Sequence, residues 1–203
     1  MSNRFGLMDE SISILKQVSA LASDKLYLVK FNLGLVYFES NQYDQAILNF
    51  QQAIALNPGF ATPHFYLGNT LLQQRMYDQA NIHFKSAIKI YSQKLKKRYV
   101  PNEIDGLRKT MLERHILSYA NIGLSGDLTN DEEIAIVYTL KAIRTYQALT
   151  GSNRASNDWP NIETHNLNNR LNKMLKKYKF NSIRQAAISY KKELMELARK
   201  KIV

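Results

Sequence analysis

A chain of 203 residues with 45% apolar side chains has the size of one domain or one compact repeat array, and wholesale disorder is excluded. It contains no cysteine, which excludes a disulfide framework, a thiolate zinc site and a cysteine nucleophile. The net charge of +11 is unevenly spread: residues 1–88 are neutral, 89–115 carry +5, 116–164 carry −3 and 165–203 carry +9.

The N-terminal stretch MSNRFGLMDESISILK meets Asp9 and Glu10 before any apolar core region forms, so no secretory signal is expected. Apolar stretches are broken by Lys30, Asn32 and Glu39, well short of the ~20 residues that span a bilayer. A soluble, cytoplasmic protein is expected. Residues 8–23 read as an amphipathic helix, with Ile12, Leu15, Val18 and Ala22 in line, able to cover the exposed side of the helices after it.

Two windows then align without a gap at a spacing of 34, Tyr27 to Phe60 and Ala61 to Lys94. Leu33-Gly34 matches Leu67-Gly68, Tyr43-Asp44-Gln45-Ala46 matches Tyr77-Asp78-Gln79-Ala80, and Phe50, Ala53 and Ile54 match Phe84, Ala87 and Ile88. A fixed period of this length decides a fold. Each window reads as a helical hairpin, broken at Asn41-Gln42 and at Gln74-Arg75. Gly34 and Gly68 lie inside helical pattern, where Gly costs ~1 kcal/mol relative to Ala, so a neighbouring helix is expected to approach closely there. Asn57-Pro58-Gly59 ends the first hairpin, and Thr62-Pro63 is expected to cap and restart the next helix.

These windows resemble tetratricopeptide repeats. The first supplies Leu33, Gly34, Tyr37, Ala46, Phe50, Ala53 and Pro58 at the family's offsets, and the second supplies Leu67, Gly68, Ala80, Phe84 and Ala87. Lys30 and His64 stand where the family favours Trp, Leu71 replaces Tyr, and Ser92 replaces the terminal Pro. The resemblance implies an all-α, TPR-like superhelix (an α-α solenoid) of stacked helical hairpins with extra N- and C-terminal helices. In such proteins the first helix of each hairpin lines a concave groove that holds a peptide or partner helix. The residues it implies here are Leu28, Phe31, Leu35 and Phe38 from the first repeat, and Thr62, Phe65, Asn69 and Leu72 from the second. Phe31 and Leu35 occupy the first places of the carboxylate clamp that some members use for chaperone C-termini, so that ligand is not implied. An apolar wall suits an amphipathic helix or an extended segment with apolar anchors, unless the chain's own terminal helices cover it.

Beyond Ser92 the helix is expected to run on toward Pro101. Residues 102–150 read as a degenerate third hairpin, with helices at about 102–123 and 131–149 and an inserted linker, Leu124–Asn130. The second opens on Asn130-Asp131-Glu132-Glu133, a polar cap with acids in the first turn. TGSNRASND at 150–158 is a boundary signal. Helices at about 160–179 and 183–201 complete an expected total of nine. The expected organisation is an N-terminal capping helix (1–26), two repeats (27–94), the degenerate hairpin (95–150) and a basic helical pair (151–203).

No catalytic constellation, cofactor motif or metal set is evident. His64, His83, His115 and His165 never pair at a spacing of three or four on one helix, and no glycine loop cradles phosphate. A non-catalytic module that holds another protein is the expected function: an adaptor, assembly factor or chaperone-like protein. The alternative is binding to nucleic acid or an anionic surface through Lys96, Lys97, Arg98, Lys173, Lys176, Lys177, Lys191 and Lys192, where Lys outnumbers Arg and base-specific reading is disfavoured.

Overall fold

The computed structural model describes residues 2–21, 24–96, 105–150 and 164–181. Among them are eight helices and no strand. They fall into two compact units, divided between Ile104 and Asp105.

The first unit holds α1 (Ser2–Leu21), α2 (Leu26–Glu39), α3 (Tyr43–Leu56), α4 (Ala61–Gln73) and α5 (Tyr77–Lys96). Each packs on its chain neighbour, and α2 also touches α4, as stacked hairpins require. The 34-residue period places equivalent side chains in equivalent holes. Phe50 and Phe84 are fully buried, along with Ala46, Ala53, Ala80 and Ala87. A Cβ on Gly34 would lie 2.5 Å from the Phe50 ring, and one on Gly68 would lie 2.7 Å from the Phe84 ring. The two glycines are thus the floor on which the phenylalanines of the paired helices rest.

The ends of α2 and α4, and of the helices that close at Thr129 and Lys177, share one geometry. Asn41, Arg75, Asn130 and Lys179 all have positive φ, between 57° and 61°. After each comes a residue whose N–H reaches back five positions: Gln42 to the Tyr37 carbonyl, Met76 to Leu71, Asp131 to Gly126 and Phe180 to Leu175, at 2.8–2.9 Å. This is the Schellman arrangement, which satisfies carbonyls that a helix C-terminus otherwise leaves open. The polar breaks of both repeats, and the described segments that follow Thr129 and Lys177, use it.

The second unit holds α6 (Asp105–Thr129), α7 (Glu132–Thr150) and α8 (Thr164–Lys177). Ile116, Ala120, Ala142 and Tyr146 form one core cluster. Ala135, Ile136, Leu140, Met174 and Leu175 form another, between α7 and α8.

Three expectations are corrected. The segment Leu124–Asn130 is not an inserted linker: α6 runs on to Thr129, and only Asn130 and Asp131 separate it from α7. Gly123 and Gly126 mark close approach instead, since a Cβ on Gly126 would lie 2.5 Å from the Ala135 nitrogen and one on Gly123 would overlap Thr139. Thr62 does not cap α4, which starts at Ala61 without a side-chain cap; its hydroxyl accepts a hydrogen bond from Tyr91 at 3.4 Å. The N-terminal helix begins at Ser2, six residues earlier than its apolar stripe indicates. Without a proline at position 92, α5 does continue to Lys96. The expected helix at 183–201 lies outside the described residues.

Candidate functional site

Helices α2 and α4 are the first helices of their hairpins. On α2, Leu28, Phe31, Leu35 and Phe38 share one face by the 3.6-residue period, as do Thr62, Phe65, Asn69 and Leu72 on α4. The structure divides these eight by depth. Phe31 (9% exposed), Phe65 (6%) and Thr62 (7%) belong to the interior. Leu28, Leu35, Phe38, Asn69 and Leu72 are half-buried.

The deeper residues are held by an aromatic cluster centred on Tyr66. Phe31 lies 5.2 Å from Phe60, 5.7 Å from Tyr66 and 6.0 Å from Phe50, centroid to centroid. Phe65 lies 5.4 Å from Tyr66 and 6.2 Å from Phe84. Phe38 is edge-on to Tyr66 at 6.2 Å and tilted against Tyr43 at 6.1 Å. Edge-to-face pairs of this kind add about 0.5–1.5 kcal/mol beyond area burial, so the face is rigid where its anchors stand. Tyr66 was not evident from the sequence because its counterpart in the first repeat is the exposed Asn32.

Of the candidate anion-binding residues, three of the described ones lie on α8. Lys173 and Lys176 are exposed on α8. Lys177 bonds Asp127, with Nζ donating to the Oδ1 at 2.9 Å and to the backbone carbonyl at 3.1 Å, and the bond to Asp127 raises its pKa. Arg170 donates to the Ala120 carbonyl at 3.1 Å, which turns it into a structural tie between α8 and α6. Lys96 ends α5; Lys97, Arg98, Lys191 and Lys192 lie outside the described residues.

Among the described residues no group of three or more His, Asp or Glu side chains is placed to hold a metal ion, and no helix is long and apolar enough to cross a membrane. One pairing escaped the sequence: His64 on α4 and His83 on α5 bring their Nδ1 atoms to 3.2 Å. Their counterparts in the first hairpin are Lys30 and Asn49, so the repeat register carries no signal of the pair. Burial, and secondarily the charge of His83, lowers the His64 pKa to about 4; burial also lowers that of His83.

Residues 34–74 match the sequence pattern of the family described as TPR repeat. The chain carries a tetratricopeptide repeat. Solved structures agree on the fold and extend it beyond the matched repeat residues. The N-terminal domain of stress-induced protein-1 (STI-1) from C. elegans superposes with a TM-score of 0.56 at 10% identity, covering 75% of this chain and 97% of that one. MamA (residues 41 to the end) from Desulfovibrio magneticus RS-1 gives 0.60 at 18% identity, covering 97% of this chain and 89% of its own. A double mutant of MamA RS-1 gives the same TM-score and identity. No curated protein matches the chain. The fold class is therefore all-α and TPR-like, and the repeats make it a protein–protein interaction module in the general sense.

Proposed function

We propose that this chain is a non-catalytic adaptor, assembly factor or chaperone-like module that holds a helix or an extended segment of another protein against the α2–α4 face. The observation that carries this reading is the half-buried row Leu28, Leu35, Phe38 and Leu72, standing above an interior of Phe31, Phe50, Phe65 and Phe84. Apolar side chains that are partly exposed on a rigid support lose little conformational freedom on binding, and such anchors dominate affinity when they become central to an interface.

A competing apolar patch lies on the second helices, where Leu48 is 48% exposed and Ile82 61% exposed at equivalent positions of the two repeats. Site-specific photocrosslinking in the native host separates the two. A photoreactive residue at Leu35 or Leu72 is expected to capture a polypeptide, and one at Leu48 or Ile82 is expected not to. Capture only from Leu48 and Ile82 would overturn the assignment of the face. Capture of nucleic acid alone would replace it with the electrostatic reading.

A further inference from the structure

The two histidines that meet between α4 and α5 are a pair without precedent in the first repeat. His64 sits in the first turn of α4, and His83 lies nineteen positions on, in α5. Both are half-buried, and their rings are 5.5 Å apart and inclined by 33°. Their Nδ1 atoms face each other at 3.2 Å. A tetrahedral ion with metal–nitrogen bonds of about 2.0–2.1 Å holds two adjacent nitrogen ligands roughly 3.3 Å apart. We propose that His64 and His83 form a two-histidine site for a divalent transition ion of the Zn²⁺ class, bridged through both Nδ1 atoms.

Three further observations bear on the site. In the metal-free protein one ring donates its Nδ1–H to the other, so only one lone pair is engaged; with the ion bound, both rings carry their proton on Nε2 and present both Nδ1 lone pairs. This is a tautomer change in one imidazole, with no net loss of protons from the neutral pair. Ligation needs neutral imidazole, and burial already keeps His64 in that form at neutral pH. His64 also lines an open cavity of about 580 Å³ with Ser86, Gln93, Lys89 and Lys94. His83 does not line it, so the cavity opens on the His64 side of the pair, where Lys89 and Lys94, which oppose a bare cation, favour an anionic co-ligand such as chloride or a carboxylate. No Asp or Glu lines this cavity, so affinity rests on the two imidazoles. Imidazole ligands select Zn²⁺, Cu²⁺ and Ni²⁺ over Mg²⁺ and Ca²⁺.

The test is calorimetric titration of the full chain with Zn²⁺ at pH 7.5, beside His64→Asn, His83→Asn and His165→Asn variants. One ion per chain is expected. Each of the first two variants should weaken it by at least the about 10–100-fold that loss of even an outer-sphere partner costs, and His165→Asn should not. Circular dichroism checks that the variants fold. Imidazole ¹⁵N spectra of the unaltered protein provide a readout that needs no variant: Zn²⁺ should move the Nδ1 resonances of His64 and His83 together. No binding at millimolar Zn²⁺, equal binding by the His64→Asn and His83→Asn variants, or Nδ1 resonances that stay in place would each overturn the proposal.

Discussion

Gly34 and Gly68 are required by what lies opposite them. An alanine Cβ at position 34 would press on a fully buried Phe50 ring from 2.5 Å, and a ring surrounded by core cannot swing away. Overpacking of this sort costs about 1–3 kcal/mol, while the better helix propensity of Ala returns about 1. Gly34→Ala is therefore expected to destabilise by up to about 2 kcal/mol, measured by urea denaturation. Gly59→Ala should be close to neutral on steric grounds, because a Cβ there meets only the Asn57 Oδ1 at 3.5 Å. The same distinction between support and contact applies to the aromatic residues. Phe31→Ala is expected to lower stability by about 3 kcal/mol or more, since it empties a space bounded by Phe50, Phe60 and Tyr66. Phe38→Ala removes a half-buried ring and should cost less than Phe31→Ala in denaturation while weakening partner capture more. If Phe38→Ala were the more destabilising of the two, the division of this face into support and contact would be wrong.

At the scale of elements, the molecule repeats one device for turning a helix back. Asn at a left-handed C′ position is well tolerated, but Arg75 and Lys179 occupy it too, with φ of 61° and 59°. A side chain with a Cβ pays roughly 1–2 kcal/mol in that region, and Gly does not. Arg75→Gly should therefore stabilise the second repeat by about 0.5–1 kcal/mol, after allowance for the greater freedom of Gly in the unfolded chain. Differential scanning calorimetry would register it as a raised Tm, and a lowered Tm would contradict the geometry. At the α6–α7 turn, Asp131 accepts a hydrogen bond from the Ile134 N–H at 3.0 Å and is the N-cap of α7. Asp131→Ala is expected to cost about 1 kcal/mol. The cap was legible as Asn130-Asp131-Glu132-Glu133, whereas the continuation of α6 through Gly123 and Gly126 was not. Two glycines followed by polar residues read locally as a linker. Only the approach of Ala135 and Thr139 from α7 explains why they remain helical, and that is a tertiary fact.

For the whole molecule, the 34-residue period made the stacking of α2–α5 readable before any coordinates, because Leu33, Phe50 and Ala53 and their counterparts fill the same positions twice. The candidate face was legible as a pattern but not in depth. Phe31 and Phe38 are indistinguishable by period, and only Tyr66 and Phe60, which arrive from the next repeat and the loop before it, decide which of the two is interior. The histidine pair was invisible for the same reason, since it joins different helices. It has a consequence for stability as a function of pH. Burial lowers the pKa of His64 to about 4, with a further push from His83, and burial lowers His83 and His115 as well. Below the ordinary imidazole value of about 6.5 the unfolded chain accepts protons that these folded-state histidines decline, so the unfolded state gains as pH falls. The contribution is fully present above pH 6.5 and is lost progressively between 6.5 and about 4. Tm measured without added metal should accordingly fall as pH is lowered through that window. In the His64→Asn, His83→Asn double variant the fall should be shallower, leaving the part due to His115 and to the rising net positive charge. A double variant with the same slope as the parent would mean that the two imidazoles titrate normally, and that the α4–α5 contact does not hold them neutral.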